Sequence, residues 1–248
     1  MGTKSRYWPR SQSGTLEYYD SATKERVARM SPVVFYDDFI TSPTAIPAGG
    51  AAESGCRWVD KIVSSNATVA GVADTANGIV QCAMASNSEA EGAFLYMDDN
   101  RQFLLTAGLI IEMRVKISVL PTSGGEAVWG LAGDYSAAPD NITYSAWFTA
   151  DGGGEVYCEI DDGTTDSSAT SGVTATAAQT KIYKIDFTDM ASVKYYIDGV
   201  RVATGTTYAY TATGANATLQ PFMGCDKASG AGLGTIQIDY VKIWSNRS

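Results

Sequence analysis

From Val33 to Trp244 the chain is a succession of short alternating runs, and none of it keeps a helical period beyond about two turns. VVFYDDF, RWVDKIV, GIVQCAM, GAFLYM, LIIEMRVKISVL, EAVWGLAG and ITYSAWFT read as strands. So do EVYCEID, KIYKIDF, VKYYID, VRVATG, ATLQPFMG and TIQIDYVKIW. Turn signals separate them, among them NSEAEG, PTSGGE, DYSAAPD, DGGGE, DDGTTD and KASGAGLG. A chain punctuated in this way has no helices to lay on a sheet, so it must bury sheet against sheet. The expectation is an all-β, two-sheet antiparallel sandwich.

Two segments sharpen it. In LIIEMRVKISV the polar Glu112, Arg114, Lys116 and Ser118 alternate with Ile111, Met113, Val115, Ile117 and Val119. That pattern predicts a long strand with one buried and one wet face. In VKYYIDGVRVA, Asp198-Gly199 separates two β-forming runs. It predicts a two-residue hairpin, because a type I′ turn needs positive φ at both central positions. No repeat or linker interrupts residues 33–248, which read as one domain, whereas residues 1–32 read as a largely irregular arm.

Charge is divided unevenly. The arm holds six Lys and Arg against three Asp and Glu, while the 248-residue chain carries −9 overall. The body is therefore acidic, which argues against nucleic acid as its partner. A basic arm with Arg6 and Arg10 beside Tyr7, Trp8, Tyr18 and Tyr19 suits docking onto an acidic protein surface. Its polar start lacks the apolar core of a signal peptide, so synthesis in a cytoplasm is expected. No run approaches the roughly 18 apolar residues of a membrane span.

The sequence contains no histidine, which excludes a Ser-His-Asp triad, a Cys-His pair and any His-ligated metal. Cys56, Cys82, Cys158 and Cys225 are far apart and form no CxxC pair, so buried free thiols are expected rather than structural zinc. Any catalysis must rest on carboxylates, Tyr, Lys or Cys.

The opening FYDDF (residues 35–39), the late Asp-Gly hairpin and the closing TIQIDYVKIW together resemble the concanavalin A-like lectin/glucanase superfamily, including laminin G-like modules. The resemblance implies a jelly roll in which the first and last strands of the domain pair. The wording of EAVWGLAGD, YSAWFTADGGGEVYCEIDDGTTD, KIYKIDFTDMASVKYYIDGVRVA and KASGAGLGTIQIDYVKIW is also similar to bacteriophage virion-associated proteins with this domain.

Glucanases of the superfamily carry a strand motif Glu-x-Asp-x-x-Glu. Here Glu159 and Asp161 match its first two positions, but the third falls on Thr164, which cannot serve as a tuned carboxylic acid. On a strand Glu155, Tyr157, Glu159 and Asp161 share one face, and Glu155 and Glu159 stand about 13 Å apart. A retaining pair needs about 5–5.5 Å between its carboxyls, so this strand alone does not make one. The reading is of acids on a wet face running into a turn.

Sugar sites combine aromatic rings with a few polar groups, and Trp129, Tyr144, Trp147 and Tyr157 are the candidates here. Trp129 and Trp147 also sit in apolar runs that fit a core. The resemblance further implies a structural calcium near the joined terminal strands, with Asp239 as ligand and Asp37 or Asp38 beside it. No other cofactor is implied.

The virion-like wording implies a non-enzymatic capsid decoration or cement protein on the capsid surface. Its arm would contact the major capsid protein or a neighbouring virion subunit, and it would assemble as a dimer or trimer. The alternative is a carbohydrate-binding, lectin-like module or receptor-binding fibre component that meets a cell-surface glycan. A degenerate glucanase is the remoter alternative.

Overall fold

Strands such as Ile110–Val119 and Glu155–Asp161 carry apolar residues at every second position and so have one greasy face, and two sheets meet to bury such faces. The computed structural model describes residues 7–12, 15–20, 33–39, 58–72, 78–122, 124–177 and 179–245. Its strands are β1 (Tyr7–Gln12), β2 (Thr15–Asp20), β3 (Val33–Asp37), β4 (Val59–Val63), β5 (Thr68–Gly71) and β6 (Val80–Ala83). Next come β7 (Glu91–Tyr96), β8 (Phe103–Leu104), β9 (Ile110–Val119), β10 (Gly125–Ala132), β11 (Ser145–Ala150) and β12 (Glu155–Asp161). The last six are β13 (Asp166–Thr174), β14 (Thr180–Asp186), β15 (Lys194–Ile197), β16 (Val200–Val202), β17 (Thr218–Lys227) and β18 (Thr235–Ser245).

The first sheet runs β13-β12-β11-β10-β17-β7-β4, with β8 also on β17. The second runs β16-β15-β14-β9-β18-β6-β5, with β3 also on β18. Every pairing between these strands is antiparallel. The result is a jelly-roll sandwich.

The core between the sheets is built by the residues that alternation singled out. Strand β9 buries Ile111, Met113, Val115 and Ile117, whereas Val119 at its end is 39% exposed. Opposite it, Trp129 stacks on Phe148 with ring centres 6.1 Å apart and meets the edge of Tyr183 at 4.9 Å. Cys82, Cys158 and Cys225 are buried free thiols, and burial pushes the Cys158 thiol up to about 12, so none is poised as a nucleophile. Cys56 lies outside the described residues.

The hairpin and the closing pair form as expected. Asp198 and Gly199 both have positive φ, 51° and 79°, between β15 and β16. Strand β3 pairs with the far half of β18, from Val241 opposite Asp37 to Ser245 opposite Val33.

The amino-terminal stretch is more regular than its sequence suggests. Strands β1 and β2 form a two-stranded antiparallel hairpin, with Tyr7 opposite Asp20 and Gln12 opposite Thr15. Tyr7, Trp8, Arg10, Tyr18 and Tyr19 lie on these strands, and Arg6 falls outside the described residues. Apolar alternation reports burial rather than backbone pairing, so strands can pair without leaving a period in the sequence.

Candidate functional site

Residues directly opposite on antiparallel strands project to the same side, so the registers define the outer face of the first sheet. One row reads Lys61, Phe94, Gly224, Val128, Thr149, Tyr157 and Thr170. The next reads Val59, Tyr96, Phe222, Gly130, Trp147, Glu159 and Ser168. At one end Glu126 of β10 stands opposite Asp226 of β17.

The middle of this face is paved with aromatic rings lying close to the backbone. A Cβ on Gly224 would sit 2.3 Å from the Ala93 carbonyl oxygen and 2.5 Å from the Phe94 ring, and one on Gly92 2.6 Å from the same ring. Only glycine lets Phe94 lie this close to the sheet. The loop after β10 then covers part of the pavement. Tyr135 stacks on Tyr96 at 5.4 Å and meets Phe94 edge-on at 5.8 Å, while its N–H donates to Asp99 Oδ1 at 2.7 Å. Phe94, Val128, Phe222 and Trp147 are consequently buried.

What stays accessible beside the pavement is acidic. Glu126, Glu155, Tyr157, Glu159, Asp161 and Asp226 are all half-buried. The Trp147 indole N–H donates to Glu159 Oε2 at 3.0 Å, so a buried ring holds the carboxylate in place. Burial raises the Glu159 carboxyl against the opposing pull of that hydrogen bond, and the charges of Asp166, Asp140 and Asp161 add to the rise. Burial also lifts Glu126 to about 8, helped by the charges of Asp226, Asp140, Glu159 and Asp151. Asp226 rises to about 7 through burial and the charge of Asp140. Its Oδ1 is buried and has no hydrogen-bond partner among the described residues.

Cross-strand partners place their Cβ atoms about 4.5–5.5 Å apart, so Glu126 and Asp226 are neighbours on this face. Two carboxyls raised by burial toward the neutral range thus stand opposite each other, the kind of group that serves general acid or base chemistry. Reading each strand alone misses this pair. Its members lie in EAVWG and PFMGCD, and only the adjacency of β10 and β17 unites them.

The other sequence candidates fall in different places. Trp129 points into the core and is fully buried. Tyr144 sits at the end of the β10–β11 loop, where a Cβ on Gly163 would come 2.7 Å from its ring. Trp147 and Tyr157 share the outer face on adjacent strands, Trp147 buried and Tyr157 half-buried, the latter donating to Glu155 Oε2 at 3.3 Å. Thr164 belongs to the turn after β12, its N–H donating to Asp162 Oδ1 at 2.9 Å. Asp162 also receives the N–H groups of Thr165 and Thr211. Burial pulls its carboxyl up, but these donors outweigh it and hold the group below its ordinary value.

The residues suggested for calcium lie on or beside the paired terminal strands β3 and β18. Asp239 pairs with Arg114, and Asp37 accepts the Trp58 indole N–H and the Phe39 backbone N–H, each at 2.9 Å. Asp38 follows Asp37 at the end of β3. Among the described residues no group of three His, Cys, Asp or Glu is placed to hold a metal ion.

No protein-family model and no curated protein matches the chain. Solved structures do. A protein of unknown function from Shewanella oneidensis MR-1 is similar with a TM-score of 0.58 and 12% identity, over 88% of this chain and 87% of that one. An endo-β-galactosidase from Clostridium perfringens that releases GlcNAcα1-4Gal gives 0.54 and 12%, over 97% of this chain and 63% of that one. A glycoside hydrolase family protein from Mycobacterium thermorestibile gives 0.52 and 14%, over 85% of this chain and 100% of that one. At these identities the likeness establishes the fold alone, a two-sheet antiparallel jelly-roll sandwich.

These findings correct the virion reading. None of these neighbours is known as a virion or capsid protein, so the capsid decoration role loses its support. With it go the capsid surface location, the major capsid protein or virion subunit as partner, and the dimer or trimer inferred from such assemblies. Sequence wording between loops and turns tracked the fold rather than the particle. The exclusion of catalysis is also withdrawn, because hydrolases share this fold. That exclusion rested on Glu159, Asp161 and Thr164 of one strand and its turn, whereas the register sets Glu126 and Asp226 of two strands opposite each other. Among the described residues no helix is long and apolar enough to cross a membrane.

Proposed function

We propose that this protein binds a carbohydrate on the outer face of its first sheet. The observation that carries the reading is the convergence of half-buried carboxylates with Tyr157 on a sheet face stiffened by rings packed against glycine. Carboxylates accept hydrogen bonds from sugar hydroxyls, and an aromatic ring packs against the apolar face of a pyranose. Trp147 acts from beneath, fixing Glu159. A sugar-contact role for Tyr157 and Glu159 is part of the proposal, as is a supporting role for Trp147.

Titration against a glycan array, followed by calorimetry on any hit, tests it. Tyr157→Ala and Glu159→Gln should each weaken binding about tenfold or more, the loss of roughly 1.4 kcal/mol. Silence of the folded wild-type protein across the array would remove the reading.

The Glu126–Asp226 pair favours a second reading, hydrolysis of the bound glycan, with the protonated member as acid and the ionised one as base or nucleophile. Reducing-sugar release should then vanish in both Glu126→Gln and Asp226→Asn while glycan binding persists. Binding without release in the wild type would leave a lectin and sink the second reading alone.

A further inference from the structure

The outer face of the second sheet has the opposite chemistry. A row crosses six strands as Tyr36, Lys242, Glu112, Lys184, Tyr196 and Arg201. At the strand spacing of a sheet it is about 24 Å long. The flanking rows add Arg114, Lys116, Lys194, Tyr240 and Trp244. Six cations thus gather on one face of a chain whose net charge is −9.

The carboxylates of this face are already engaged. Asp239 pairs with Arg114, Glu112 accepts the Tyr240 hydroxyl at 2.9 Å, and Asp186 accepts both the N–H and the hydroxyl of Thr188. Five cations have no such partner. Among the described residues no carboxylate lies within ion-pair distance of Lys116, Lys184, Lys194, Arg201 or Lys242. Lys184 and Lys242 instead sit over aromatic rings, 4.1 Å from the centre of Tyr196 and 4.8 Å from that of Trp244. Tyr36 is 51% exposed and lies 5.9 Å from Tyr240, extending the aromatic surface to the β3 edge.

We infer that this face binds an extended anionic polysaccharide, its acid groups on the unpaired Lys and Arg and its sugar rings on Tyr36, Tyr196, Tyr240 and Trp244. The charge asks for an anion, and the length of the row asks for a polymer. The interleaved Glu112 and Asp239 favour sugar over nucleic acid, since they repel a continuous run of phosphates, whereas the acid groups of a polysaccharide are spaced apart by whole sugar rings. The exposed Tyr36 at the edge and the half-buried Tyr196 between Lys184 and Arg201 supply the packing that neutral parts of such a chain need. The site is separate from the acidic face of the first sheet, on the other side of the sandwich.

Gel-shift electrophoresis and calorimetry of the full chain with polygalacturonate, a sulfated dextran and an oligothymidylate test the inference. The polysaccharides should bind, with affinity falling as salt rises. The pair Lys184→Glu with Lys242→Glu should weaken binding at least tenfold, and Arg201→Glu alone, at an exposed hairpin, should weaken it severalfold. Glu159→Gln on the other face should leave it unchanged, which keeps this test apart from that of the first face. Absence of polysaccharide binding, indifference to charge reversal in a folded variant, or equal or tighter binding of the oligothymidylate would each overturn it.

Discussion

The two outer faces of the sandwich are made by the same fold from the same kinds of strand, yet they hold their charges in opposite ways. On the first, acidic groups crowd over a buried aromatic pavement and are driven toward their neutral forms. On the second, exposed and half-buried cations stand above a plain alternating sheet, and two of them rest on aromatic rings. Crowded charge at low dielectric costs stability, whereas solvated charge costs little. The first face is therefore where structure and chemistry are coupled, and the second is where charge can be changed almost freely.

The largest effect should come from a buried ion pair at the end of the first sheet. Lys227 Nζ lies 3.4 Å from Glu91 Oε2, with both side chains fully buried, and donates to the carbonyls of Ala85, Asn87 and Gly232. Glu91 in turn accepts the Ala85 N–H and the Asn87 side-chain amide. Lys227→Ala strands a buried carboxylate and should cost about 3–5 kcal/mol, read from the urea midpoint. A shift no greater than that of a surface substitution would break the contrast.

Next comes the pavement. Gly224→Ala places a methyl within 2.3 Å of the Ala93 carbonyl oxygen and should cost about 1–3 kcal/mol by forcing the backbone or the Phe94 ring aside. Equal stability of this variant would mean that the rings do not rest on the sheet.

The pH dependence sharpens the comparison further. Glu126 and Asp226 have folded values raised to about 8 and about 7, above those of an unfolded chain. The folded state then holds more protons than the unfolded state across this range, so stability is greatest below about pH 4 for these groups and is lost as pH rises through 7 and 8. Urea midpoints at pH 5, 7 and 9 should fall in the wild type and fall less in Glu126→Gln. The smallest effect belongs to the second face, where Lys184→Ala should shift stability by less than about 1 kcal/mol.

How much of this could be read from sequence depends on how local the signal is. The β9 alternation, the Asp198-Gly199 turn and the shared face of Glu155, Tyr157, Glu159 and Asp161 all follow from neighbours a few residues apart. Glu126 and Asp226 are a hundred positions apart, and their meeting depends on strand order and register, which no short pattern encodes. The same holds for Glu91 and Lys227, since a buried lysine looks like any other in sequence. Glu159 shows the middle case: its face was legible, but the Trp147 ring that holds it comes from the neighbouring strand.

The placement of β18 has a consequence for how the molecule comes into being. This strand is the seam of the second sheet, joined to β9 along its length and to β6 and β3 on its other edge. Until residues 235–245 leave the ribosome, the two parts of that sheet have no common neighbour, and their greasy faces wait uncovered. Completion of that sheet must therefore wait for β18, with contacts of long sequence separation formed late and slowly. A nascent chain halted before Thr235 should be a client for chaperones, however complete its first sheet.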